Sequence, residues 1–121
     1  MSKIFYFKNK LGSAVSYGNS ELASFYLHEI EETAEELIDA ELYDDGVAVS
    51  SLLQSELMPS IENLEVSLES QDHKSQKLAY ENLINTCNDC HKLAKHPFIV
   101  IESPKVDVDG QDFSGETSPM D

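Results

Sequence analysis

Apolar residues recur at helical spacing from the start of the chain to about residue 95. Between Lys3 and Tyr17, an i, i+3, i+7 stripe of Ile4, Phe7, Leu11, Ala14 and Val15 predicts a first helix, weakened by Gly12. Gly18-Asn19-Ser20 breaks that pattern, and Asn19 or Ser20 is a natural N-cap for the next segment. From Glu21 to about Tyr43 the pattern is clearest. Leu22, Tyr26, Ile30, Ala34, Leu37 and Ile38 mark one face, while Glu31, Glu32, Glu35 and Asp39 fall largely elsewhere. Asp44-Asp45-Gly46 is the expected stop.

A third segment from Val47 to about Glu69 has Val49, Leu52, Leu53, Leu57, Ile61, Leu64 and Leu68 as its stripe. Pro59 lies inside it, lacks an N–H and crowds the preceding turn, so a kink or break is expected there. Ser70 to Lys74 is polar, with Asp72 placed to cap the next helix. The fourth segment, Ser75 to about Lys95, spaces Tyr80, Leu83, Ile84, Cys87, Cys90, His91 and Ala94 helically, and Pro97 ends it. Phe98 to Ile101 is a short apolar run expected to lie extended against the helices. From Glu102 onward Pro, Gly, Ser and Asp predominate, predicting a mobile tail. The pattern predicts an all-α, antiparallel four-helix bundle over residues 1–101 and an acidic extended tail over 102–121. A bundle of this kind needs no cofactor to account for its stripes.

Composition narrows the functions. The chain has 121 residues, enough for one domain with a core. Its net charge of −15, from 23 acids against 8 lysines, opposes binding to nucleic acid or to anionic membrane surfaces. From Glu29 to Asp45 there are nine acids and no lysine, whereas Lys74, Lys77, Lys92 and Lys95 lie in the stretch that holds both cysteines. A solvated acidic face explains this asymmetry; a dipole that orients a partner toward the cysteines is the sharper reading. No run is long enough to span a bilayer. Residues Met1 to Lys8 contain no apolar core of signal-peptide length, which predicts either an export signal already removed or a protein that stays in the cytoplasm.

The candidate chemistry is concentrated at Cys87-Asn88-Asp89-Cys90-His91, the C-x-x-C-H pattern of covalent haem attachment. Cysteines three apart share a helix face, so both sulfurs can reach the two vinyl groups along one side of a porphyrin. The adjacent imidazole can then ligate the iron, making His91 both a cofactor-binding and a metal-ligating candidate. These are the chain's two cysteines, and none is left over. Three rival readings remain. A thioredoxin-like pair needs a βαβ setting, which the pattern lacks. A disulfide between residues three apart on a helix is strained. A structural zinc site would combine Cys87 and Cys90 with His91 or His96 and draw on His28 or His73.

The motif sits near the end of the last helix, and only Met120 lies beyond it as a possible methionine ligand. In this the chain resembles the cytochrome c-prime type, in which the haem sits among four helices. Asn19 to Ala23 with Phe25 to Glu32, Ala79 to Leu83 leading into C-x-x-C-H, His96 to Ile101, and Gln111-Asp112-Phe113 are similar to segments of small cytochrome c-prime-like proteins. The likeness covers most of residues 10–113, and C-x-x-C-H is its specific element. The chain departs from the family at Ser20, where members tend to carry an aromatic residue, and in the lysines Lys8 and Lys10 of its first segment.

The resemblance and the motif together imply one covalent haem c on Cys87, Cys90 and His91, with electron transfer or binding of a small gas (NO or CO) as the role and no catalysis. They also imply a periplasmic location, a redox partner protein and, weakly, a homodimer. The second axial position is open between none, His28 and Met58; His28 reads as a surface residue and Met58 as packing at the kink. His96 is expected to meet the last helical carbonyls. Phe5, Phe7, Phe25 and Tyr26 are candidates to wall an open pocket. The alternative is a cytoplasmic helical interaction protein whose C-x-x-C-H is a zinc or thiol site.

Overall fold

The computed structural model describes residues 2–44, 46–96 and 101, so the tail from residue 102, with Met120 and Phe113, and residues 97–100 lie outside the described residues. Among the described residues the fold is all-α apart from one short hairpin. Helix α1 spans Ser2–Ser16 and α2 spans Ser20–Asp39. Gly18, at φ 73°, ends α1: its N–H reaches the Val15 carbonyl and the Asn19 N–H reaches that of Ala14, both at 3.0 Å. The Asn19 side chain then accepts from the Leu22 N–H at 3.1 Å, so one residue closes α1 and caps α2.

The second helix ends four residues before the expected Tyr43. Glu41 turns left-handed at φ 49°, and the reason lies thirteen residues beyond Leu37. The Ser50 hydroxyl donates to the Leu37 carbonyl and accepts from the Leu42 N–H, each at 2.7 Å, and so satisfies the helix end. Tyr43 and Asp44 are thereby released to form β1 (Tyr43–Asp44), antiparallel to β2 (Val47–Ala48), a pairing the helical stripe gave no reason to expect.

The third segment keeps the predicted stripe but is not uniform. Helix α3 (Val49–Leu52) passes through a π-helical segment, Leu53–Leu57, into α4 (Met58–Glu69). The Met58 N–H bonds to the Leu53 carbonyl, one residue further back than in an α-helix. This wide turn falls immediately before Pro59, whose ring crowds the carbonyl four residues earlier. The expected kink is thus taken up as a π turn. Helix α5 spans His73–Leu93, with Asp72 accepting from the Lys74 N–H at 3.1 Å and from the Ser75 hydroxyl at 2.7 Å.

Helix α1 packs on α2 and α5, and α4 packs on the same two helices. The deepest side chains come from all four: Leu11, Leu27, Ile30, Ile61, Leu64 and Leu83. Removing each from water contributes roughly 1.5–3 kcal/mol. Polar ties fix the register of α5 on α1: the Tyr80 hydroxyl donates to the Lys8 carbonyl at 3.0 Å, and His73 Nε2 donates to the Val15 carbonyl at 2.8 Å. Among the described residues no helix is long and apolar enough to cross a membrane.

Candidate functional site at the end of the last helix

Cys87, Cys90, His91 and Ala94 recur at i, i+3, i+4 and i+7, and so share one face of α5. That face borders a cavity of about 390 Å³, within the usual range of small-molecule sites. Helix α1 contributes Ile4, Phe5 and Lys8 to its wall. Helix α3 adds Val49 and Leu52, and the π segment adds Leu53 and Leu57. Asp44, His96 and Ile101 complete the lining. The walls are therefore largely hydrocarbon, with Lys8, Asp44, His91, His96 and the two thiols as the polar groups among them. The π turn belongs to this site, because the segment it shapes carries two of the lining leucines.

Two further contacts border the cavity. Asn88, inside the C-x-x-C-H motif, accepts the Ile101 N–H at 2.7 Å and donates to the Ile101 carbonyl at 3.1 Å. This pins the only described residue of the expected extended run against α5. At the rim, His96 Nε2 lies 2.7 Å from an Asp44 carboxylate oxygen, joining the end of α5 to the hairpin. Lys95 turns left-handed at φ 68°, and the His96 backbone N–H reaches the His91 carbonyl at 2.7 Å, while its imidazole meets Asp44.

Both cysteines are free thiols. Burial pushes the Cys87 thiol up, partly offset by the nearby Lys8 charge. The Cys90 thiol is pushed up to about 11, by burial first, then by Cys87, Glu56 and Asp89. Both thiols are therefore protonated near neutral pH, unlike the low-pKa thiolates of redox exchange sites. Among the described residues, Nδ1 of His91 is buried with no hydrogen-bond partner.

The other expected residues lie elsewhere. His28 is exposed on α2, with Nε2 2.8 Å from Glu32, and is not part of the cavity wall. Met58 borders a separate cleft between α2 and α4, with Glu35, Asp39 and Glu62. His73 begins α5, fourteen residues before Cys87 and hence about 21 Å along the axis, too far to join a zinc site with it. Of the four candidate aromatics Phe5 alone reaches the cavity; Tyr26 is in the core, Phe7 packs against that core and Phe25 is exposed. Lys92 and Lys95 are exposed at the end of α5.

Lys8 is the lining residue that the motif did not indicate. It is only 3% exposed, yet its signal is in the sequence, since residues 4, 8, 11 and 15 continue one helical stripe. No protein family, curated protein or solved structure matches this chain.

The donor set fits a haem c. Two protonated thiols on one helix face can add across two vinyl groups, the adjacent imidazole can supply an iron ligand, and the surrounding walls are apolar. The same residues fit a disulfide poorly, because they are three apart on a helix.

Proposed function

We propose that this chain is a c-type haem protein of the cytochrome c-prime kind, an antiparallel four-helix bundle that transfers electrons or binds a small gaseous ligand without catalysing a reaction itself. The observation that carries this reading is the convergence of Cys87, Cys90 and His91 on one apolar cavity. The antiparallel arrangement draws support from the three-residue connections at 17–19 and 70–72, each joining helices that pack on one another.

In this reading Cys87 and Cys90 would form the thioethers and His91 would ligate the iron. The bound haem supplies a one-electron couple and a site for a diatomic ligand. The residues of the chain do the rest. The π-segment leucines and Ile4 exclude water, which raises the energetic weight of every charge nearby. Asn88 holds Ile101 over the site. The exposed Lys92 and Lys95 offer a positive rim to an acidic redox partner, in a chain that is otherwise strongly acidic. Covalent haem attachment is compatible with a periplasmic setting for the mature protein.

Intact-mass spectrometry of protein made in cells with haem-maturation machinery tests this. The expected mass is that of the mature chain plus one haem, lost when Cys87 and Cys90 are both replaced by alanine. A mass equal to the chain alone, or the chain plus zinc, overturns the reading in favour of a helical interaction protein.

A further inference from the structure

Asn88 belongs to the C-x-x-C-H motif but not to the cavity wall. It follows Cys87 by one position and so leaves α5 about 100° around the axis from that thiol. Its amide turns to the backbone of Ile101, accepting the N–H at 2.7 Å and donating to the carbonyl at 3.1 Å. One side chain thus pairs both polar groups of one residue, as a neighbouring strand would. Ile101 in turn is half-buried, packs against the core and lines the cavity together with Cys87, Cys90 and His91. Backbone groups beside an apolar space need partners, and Asn88 supplies one for each. Few side chains could do so. An amide offers a donor and an acceptor together, whereas a carboxylate offers acceptors alone and would oppose the Ile101 carbonyl.

We infer that Asn88 is a positioning residue: by holding Ile101 on the cavity it keeps water and solutes away from Cys87, Cys90 and His91. Release of the hold takes Ile101 off the wall, and attack on the thiols then follows the fraction of molecules whose wall is open. This claim about access stands on the cavity alone. Its consequence for a bound haem rests on the haem reading: water reaching the site favours the more highly charged ferric state and lowers the reduction potential.

The test follows iodoacetamide alkylation of Cys87 and Cys90 by mass spectrometry, in the haem-free full chain at one fixed pH. Wild type, Asn88→Ala, Ile101→Ala and the double variant are compared. Loss of two hydrogen bonds of ordinary strength shifts the held state by about tenfold or more, and alkylation of Asn88→Ala should quicken by a similar factor. Ile101→Ala keeps the backbone bonds but removes the side chain, and should quicken alkylation too. The double variant should add little to the larger single effect, because both changes act on one wall. Asn88→Asp loses the donor and should also quicken alkylation, so it serves if Asn88→Ala does not fold. Urea midpoints are measured alongside, since unfolding of the whole chain exposes the thiols without any role for Ile101.

Unchanged alkylation in Asn88→Ala overturns the inference. So does an acceleration that multiplies fully with that of Ile101→Ala, or one that a lowered urea midpoint accounts for entirely. In haem-loaded protein both single variants should lower the reduction potential, and an unchanged potential in both overturns the consequence for haem. Colourless protein from haem-maturing cells removes the haem reading, and the alkylation rates still decide the role of Asn88.

Discussion

Burial acts on the two thiols in a way that solution chemistry can read directly. In haem-free protein Cys90 holds its proton to about pH 11, because burial, the neighbouring Cys87 and two carboxylates all disfavour the thiolate. Alkylation by iodoacetamide should therefore be slow at pH 7.5 compared with an unstructured cysteine peptide, and should accelerate as the pH approaches 11. The linkage has a defined sign. An unfolded thiol loses its proton near its ordinary pKa, while the folded Cys90 retains it, so between the two values the folded state binds more protons. Stability of the haem-free protein should then fall as pH rises from about 9 toward 11. Rapid alkylation of Cys90 at pH 7.5 would contradict this picture. At this scale the sequence was informative where chemistry is local. Cys87, Cys90 and His91 lie within one helical turn and a half, so their shared face is a consequence of spacing alone. Lys8 was legible only as a charged residue on an apolar stripe, and its meaning required the cavity.

Among the elements, the helix boundaries divide by the range of the interactions that set them. Asn19, Gly18 and Asp72 act on neighbours within five residues, and all three did what their residue types predict. The end of α2 depends on Ser50, and the rim of the cavity on Asp44 and His96, which are fifty-two residues apart. Neither contact can be read from periodicity. The π turn is intermediate: Pro59 signals a disturbance, but which distortion absorbs it is decided by packing, here one that leaves Leu53 and Leu57 buried against the site. A clean test exists at Gly18, where an added Cβ would meet nothing within 4 Å. The cost of Gly18→Ala is then purely the left-handed backbone, about 1 kcal/mol, measured as a lower midpoint in urea with an unchanged slope. An unchanged midpoint would show that this turn does not hold its left-handed form.

For the whole molecule, the four helices share one core, and the cavity opens where α1, α3, the π segment and α5 meet, away from the deepest leucines. The deeply buried leucines carry the stability, while the cavity keeps a space that apolar packing could have filled. The net charge of −15 disfavours nucleic acid and anionic surfaces as partners, and the positive groups near the motif stand out against that background. The central claim is that the space is built for a covalent haem. The most direct measurement is a visible spectrum of protein purified from cells with haem-maturation and export machinery, repeated after acid–acetone extraction. A covalently held haem gives a Soret band that stays with the protein through extraction. A colourless protein from those cells, retaining free thiols or zinc at Cys87 and Cys90, would contradict it.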